Sequence, residues 1–131
     1  MAPIPGRMRR SEWLGKEDGV MPIFVTQGRY SESAIKAMLV RPEDRAAAVA
    51  KLIEKAGGHL IDYYVLFGEY DWMVIYEVPS GKVAAAIVLA AMGAGAVTGT
   101  KTMLAMTTID AKAAFEAGAA LAAAYQTPGT A

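Results

Sequence analysis

The chain has 131 residues, with 13 basic and 13 acidic side chains, one histidine and no cysteine. This length suits one domain rather than two, since typical domains have about 100 to 150 residues. The lack of cysteine excludes disulfides and thiolate nucleophiles, and one histidine is too few for a three-ligand catalytic zinc site. We therefore expect no cofactor and no metal. The balanced charge also removes the attraction that drives most nucleic-acid binding, so no nucleic-acid partner is expected.

Residues 1–20 are predicted to form an N-terminal arm, either a mobile tail or a segment whose Trp13 and Leu14 dock on a partner subunit. The arm contains no apolar run of roughly seven to fifteen residues, which a secretory signal requires. The longest uncharged stretch, residues 83–100, is rich in alanine and is interrupted by glycines, so it predicts a buried helix and a strand. We expect a soluble, cytoplasmic protein without a membrane partner.

Strand and helix signals follow one another from Met21 onwards. A β-rich run predicts a first strand at about Ile23 to Thr26 or slightly beyond, and residues 31–40 predict one or two helical turns. Pro42 and the two carboxylates after it are typical of a helix start. Apolar residues then recur at helical spacing until a pair of glycines, so an amphipathic helix is predicted up to Gly57.

The second half of the chain begins with two strand-like runs, His59 to Phe67 and Trp72 to Val78, whose spacing predicts a hairpin. Ser80 is a suitable cap for a helix over Val83 to Met92. The threonine-rich run Ala96 to Ile109 predicts a fourth strand.

A last, alanine-rich helix is predicted over Ala111 to Tyr125. The order β-α-β-β-α-β plus this helix predicts an α+β, ferredoxin-like fold with a four-stranded antiparallel sheet and a C-terminal helix.

Both faces of the predicted hairpin are mainly apolar if its loop pairs Phe67 with Trp72. One face then holds Ile61, Tyr63, Val65, Phe67, Trp72, Val74, Tyr76 and Val78, and the other holds Leu60, Asp62, Tyr64, Leu66, Met73, Ile75 and Glu77. Two helices cover only one face of such a sheet, and an identical subunit is the simplest cover for the second. With 54% hydrophobic residues, the chain is expected to form a homodimer or higher oligomer, a dimeric α/β barrel closed through its sheets.

The segment FGEYDWMVIYEVP, with Gly68-Glu69 before Tyr70-Asp71, resembles the GYD domain family. The segments GRYSESAIKAML, GGHLIDYYVLFGEYD and GAVTGTKT are similar to the same family, so that the resemblance extends from about Ile23 to Lys101. It implies a bacterial or archaeal protein with the ferredoxin-like, dimeric α/β-barrel fold, and it implies no reaction. The expected organisation is an arm at 1–20, a GYD-like domain at 21–110, and an alanine-rich helix and tail at 111–131.

Six aromatic residues fall within fourteen positions from Tyr63 to Tyr76. They are expected either to pack a core and an interface or to line a pocket, between sheet and helices or inside the dimer barrel, for a small apolar or aromatic molecule. The predicted ligand-binding residues are Tyr64, Tyr70, Asp71, Trp72 and Lys101. Asp71 is alternatively a turn residue that bonds backbone, and Lys101 alternatively a solvent-directed lysine on an edge strand.

Two other function classes stay open at this point. A cofactor-free oxygenase or isomerase would use Tyr64, Asp62 or Lys101 for proton transfer, and Asp62 and Glu77 are expected to be cross-strand neighbours that could share a proton. A self-assembling scaffold would use the terminal helix or the arm to build an oligomer larger than a dimer. The residues alone do not decide whether the protein is an enzyme.

Overall fold

The computed structural model describes residues 21–129, and the predicted N-terminal arm lies outside this range. The described chain follows the predicted order of elements, and the helical turns predicted over residues 31–40 form a separate short helix. The elements are β1 (Ile23–Tyr30), α1 (Glu32–Val40), α2 (Ala46–Lys55), β2 (His59–Val65), β3 (Trp72–Glu77), α3 (Gly81–Gly93), β4 (Val97–Ala105) and α4 (Thr108–Ala122).

The four strands form one sheet in the order β2-β3-β1-β4, and every neighbouring pair is antiparallel. The two α/β connections and the central hairpin are those of a ferredoxin-like α+β fold, which confirms the predicted fold class. No helix within residues 21–129 is long and apolar enough to cross a membrane.

Caps set several of the helix ends. The side chains of Ser31, Ser80 and Thr107 accept hydrogen bonds from backbone amides in the first turns of α1, α3 and α4. Helix α2 begins at Ala46, four residues after Pro42, because the Asp44 side chain accepts from the Ala46 amide at 2.9 Å.

The C-terminus of α2 depends on the two glycines that follow it. Gly57 adopts a φ of 92°, and the Gly58 amide donates to the Ile53 carbonyl at 3.0 Å. This left-handed turn satisfies helix carbonyls and reverses the chain into β2. A Cβ on Gly58 would lie 2.1 Å from the Glu77 carbonyl oxygen, so β2 can approach β3 this closely only with glycine at this position.

Helices α2 and α3 contribute to a core with one face of the sheet, called here the inner face. The core residues are Phe24, Ala46, Ala50, Ile53, Leu60, Trp72, Val74, Tyr76, Val78 and Ala84. Helices α1 and α4 contribute no buried residue. The core is therefore a single layer between two helices and the sheet.

The hairpin between β2 and β3 differs from the predicted register. Val65, and not Phe67, pairs with Trp72, because residues 66–71 form a longer loop in which the Leu66 amide donates to the Asp71 carbonyl. A shift of two residues leaves most side chains on their predicted faces, since strand side chains alternate with a period of two. Phe67 lies in the loop and is 98% exposed.

The two-residue shift gives Asp62 a new neighbour, and an irregularity between Leu60 and Asp62 then changes the face of Leu60 and the neighbour of Glu77. Leu60 pairs with Tyr76 and lies in the core, although it was predicted on the opposite face. Asp62 pairs with Ile75, and Glu77 pairs with His59. The expected cross-strand Asp62–Glu77 pair was therefore wrong.

The opposite, outer face of the sheet carries Val25, Tyr64, Met73, Ile75 and Met103. Tyr64 is 48% exposed and Met103 is 46% exposed, while the other three are half-buried. The same face also carries Gln27, Asp62 and Lys101, so it is apolar in its central part and partly open within the described chain. Phe115 and Leu121 on α4 are also largely exposed.

Candidate functional site

A cavity of about 330 Å³ lies between the inner face and helices α2 and α3. Its sheet side consists of Tyr63, Trp72, Val74 and Tyr76, and its helix side is aliphatic. Helix α3 presents alanines to it, including Ala91. Because these side chains are so short, the helix covers the sheet without filling the space between them.

Trp72 contributes a buried N–H donor to this lining. Its side chain is 6% exposed, and its indole Nε1 has no hydrogen-bond partner among the described residues. A buried donor without a partner costs about 1 to 3 kcal/mol and is rare in native proteins. Nε1 itself has almost no accessible surface, so this unpartnered donor lies behind the cavity wall, and the indole must shift before an acceptor in the cavity can reach it.

Gly28 on β1 allows Trp72 to lie against the sheet. A Cβ at Gly28 would be 2.7 Å from Trp72 Cζ2 and 3.1 Å from the Thr98 carbonyl oxygen. Both distances are too short for a carbon contact, so the tryptophan ring occupies space that only glycine leaves. The position of Trp72 in the cavity thus depends on the neighbouring strand.

Tyr63 contributes a hydroxyl at the same end of the inner face. Its oxygen lies 2.5 Å from the hydroxyl of Tyr30, which comes from the end of β1. Burial raises the pKa of the Tyr63 phenol above its usual range, the hydrogen bond with Tyr30 raises it further, and the nearby Arg45 guanidinium opposes both. The phenol is therefore neutral, and it keeps its proton for hydrogen bonding.

Arg45 precedes α2 and brings a positive charge to the cavity lining. Its Nη1 also lies 3.0 Å from a carboxylate oxygen of Glu43, in an ion pair that is partly exposed to solvent. No aspartate or glutamate lines the cavity within the described residues. The lining thus combines an apolar surface with donors and one cation.

Tyr76, by contrast, has a hydroxyl that the protein already uses. Its oxygen lies 2.8 Å from Thr26 Oγ1, which in turn lies 2.8 Å from Thr102 Oγ1. Burial raises the pKa of Tyr76, and these hydrogen bonds oppose the shift. This chain of hydroxyls joins three strands and leaves Tyr76 as an apolar ring in the cavity.

The five predicted ligand-binding residues separate into different places, and only Trp72 lines the cavity. Tyr64 lies on the outer face, where its hydroxyl donates to Asp62 Oδ2 at 2.9 Å. Lys101 is exposed on β4 with its Nζ 5.7 Å from the centre of the Tyr70 ring. A hydrogen bond to Tyr70 raises the pKa of Lys101, so the lysine stays charged.

Asp71 ties the hairpin loop to β1. Its Oδ2 accepts from the Tyr30 amide at 2.9 Å, and its own amide donates to the Gly28 carbonyl at 2.8 Å. Asp71 therefore positions Tyr30, which hydrogen-bonds Tyr63, and Gly28, which lies against Trp72.

Of the residues considered for proton transfer, Asp62 and Tyr64 are hydrogen-bonded to each other, but Lys101 lies apart from both. Asp62 and Tyr64 are on β2 and Lys101 is on β4, and these strands are the two opposite edges of the sheet. No group of three or more histidine, aspartate or glutamate side chains in residues 21–129 is arranged to hold a metal ion.

The comparisons with known proteins concern the domain that contains the cavity. A family model described as the GYD domain matches residues 24–115, a range that includes every lining residue of the cavity. No match was found among curated proteins.

One solved structure with a similar fold is titled as the crystal structure of MtbAldR. It is 13% identical with a TM-score of 0.49, and the alignment covers 69% of this chain and 56% of that chain. The present chain thus matches little more than half the length of that protein.

Proposed function

The chain belongs to the GYD domain family, and from its structure we propose that this member binds a small apolar or aromatic molecule in the cavity between the inner face and helices α2 and α3. The observation that carries the proposal is the cavity itself. Its volume of about 330 Å³ is at the lower end of the range for small-molecule sites, about 300 to 1,000 Å³. The cavity is partly open to solvent, so a ligand can enter it without unfolding of the domain.

The lining supports a ligand with an apolar body. Val49 and Leu52 of α2 and Ile87 of α3 face the aromatic residues of the sheet across the cavity. Burial of an apolar ligand surface there contributes roughly 25 cal/mol per Å² removed from water. A compact molecule of one or two rings, or a short alkyl chain, fits this volume and surface.

Thermal unfolding with added small molecules tests the proposal. The panel includes indole, 1-octanol and octanoate, and at least one of them is expected to raise the Tm of the wild-type chain. Ala91→Leu adds a larger side chain on the cavity side of α3 and is expected to remove that shift. Ala86→Leu makes the same change on the exposed side of α3 and should leave the shift intact.

Two results would contradict ligand binding in this cavity. One is a panel in which no compound stabilises the wild-type chain. The other is an equal ligand-induced shift in the wild-type chain and Ala91→Leu, because a ligand bound elsewhere is insensitive to a side chain that fills the cavity.

We also propose that a second copy of the chain covers the outer face. The support is the row of apolar side chains across the sheet, of which Tyr64 and Met103 are about half exposed. Because the formal net charge is zero, charge repulsion between copies of the chain does not oppose self-association. A two-fold symmetric pair would bury the same patch on both subunits, which is the commonest arrangement of soluble oligomers.

A further inference from the structure

The polar groups around the cavity indicate which chemical class of ligand it accepts, an inference that rests on the proposed function. The first group is the indole N–H of Trp72. It is a donor only, it belongs to a side chain that is 6% exposed, and no described residue accepts from it. A hydrocarbon in the cavity would leave this donor without a partner, whereas a ligand oxygen would satisfy it once a small movement of the indole exposes the N–H.

The second group is the hydroxyl pair of Tyr30 and Tyr63. Two hydroxyls at 2.5 Å share one hydrogen bond, so one proton lies between the oxygens and the other remains to be donated. Tyr63 pairs with Val74 across the hairpin and so lies diagonally next to Trp72 on the inner face. When Tyr30 donates to Tyr63, the remaining phenolic proton is that of Tyr63, which lines the cavity, and it lies with the indole N–H at one end of the cavity.

The third group is the Arg45 guanidinium. It lines the same cavity, and no carboxylate lines the cavity in the described chain. Its charge lowers the pKa of Tyr63 against the smaller, opposing effect of Asp44, and Glu43 pairs with it at 3.0 Å on the partly exposed side. A positive charge with two neutral donors favours an oxygen anion over a neutral oxygen, because hydrogen bonds to charged acceptors are about twice as strong.

We infer that the cavity binds a small apolar carboxylic acid, whose carboxylate accepts hydrogen bonds from Trp72 Nε1 and the Tyr30–Tyr63 pair beside the charge of Arg45. Its apolar body lies along the aliphatic side chains of α2 and α3. The shape and apolar lining of the cavity fit the apolar body of the ligand, and the three polar groups fit its carboxylate.

A comparison of octanoate with 1-octanol separates the contribution of the apolar body to binding from that of the carboxylate. Octanol is the more hydrophobic of the two, so a purely apolar cavity would prefer it. We expect the reverse order, with octanoate binding about tenfold or more tightly, since hydrogen bonds to charged groups are stronger than those to neutral groups. Binding is measured by fluorescence titration of the Trp13→Phe chain, in which Trp72 is the remaining tryptophan.

Variants of the Trp13→Phe chain show which residues cause the preference for octanoate over 1-octanol. Trp72→Phe removes the indole N–H and keeps an aromatic ring, and its affinities are measured by calorimetry. Arg45→Gln removes the charge at a partly exposed position, so it tests the inference even if Trp72→Phe fails to fold. Each is expected to reduce the preference for octanoate about fivefold or more, whereas Lys51→Gln, a charge removal at an exposed position of α2, should not change it.

The outcomes distinguish the inference from the proposed function. If 1-octanol binds as tightly as octanoate, or if neither Arg45→Gln nor Trp72→Phe changes the preference, the inference is wrong while the cavity remains a binding site. If neither probe binds and the broader panel also gives no thermal shift, the proposed function itself fails and the inference fails with it.

Discussion

Trp72 and Gly28 determine together how the sheet side of the cavity is built. The indole ring lies where a Cβ of residue 28 would have to be, at 2.7 Å from Cζ2. The Gly28 carbonyl also accepts from the Asp71 amide, which fixes the loop that leads into Trp72. One small residue on β1 therefore controls the position of the largest side chain on β3.

Gly28→Ala is expected to destabilise the chain by about 1 to 3 kcal/mol, the usual cost of overpacking a core. The added methyl group has no free space, because one of its neighbours is the Thr98 carbonyl oxygen at 3.1 Å. Urea unfolding measures the change, with Gly68→Ala as the control, since a Cβ at Gly68 has no heavy atom within 4 Å. Equal stability of the two variants would show that Trp72 does not pack against this position.

The sequence identified some of the cavity residues and not others. Trp72 was predicted because a cluster of aromatic residues in a strand is visible without a structure. Tyr63 was placed on the correct face, but its hydroxyl pair with Tyr30 joins residues 33 positions apart and leaves no local signal. Arg45 was missed because a basic residue in an amphipathic helix ordinarily faces solvent.

At the level of elements, the order was predictable because each strand and helix ends at a local signal. Glycines end α2, and Ser80 caps α3 where a serine was expected to do so. The boundaries were less predictable: β1 continues to Tyr30, whereas β4 ends at Ala105 because α4 starts at Thr108 with its cap at Thr107.

The register of the hairpin could not be read from the spacing of its two strands. Asp71 bonds the backbone of Gly28 and Tyr30 on another strand, and this long-range contact lengthens the loop by two residues. The irregularity after Leu60 likewise depends on pairing with β3. The Asp62–Glu77 prediction assumed a four-residue loop and regular pairing of β2 with β3. It failed because loop length and pairing both depend on contacts between distant parts of the chain.

At the level of the whole molecule, the outer face gives the clearest expectation for assembly. Met103→Lys places a charge opposite Val25 on this face, and in a symmetric dimer the charge occurs twice. Sedimentation should show a dimer for the wild-type chain and at least a tenfold weaker dimer, about 1.4 kcal/mol, for the variant. Leu39→Lys, a comparable change at an exposed position of α1, should leave the mass unchanged.

A wild-type chain that sediments as a monomer at micromolar concentration would exclude the proposed dimer. A Met103→Lys chain that keeps the wild-type dimer affinity would show that the subunits associate through another surface, such as the exposed side chains of α4.

The central claim is that a ligand binds between the inner face and helices α2 and α3. The most direct test is a titration of the ¹⁵N-labelled chain with octanoate and with 1-octanol, followed by NMR. The account predicts that the largest shift changes occur at the indole N–H of Trp72 and at the amides of Val49 and Ala91. Largest changes at Tyr64 and Lys101 on the other side of the sheet, or no change at saturating probe, would contradict it.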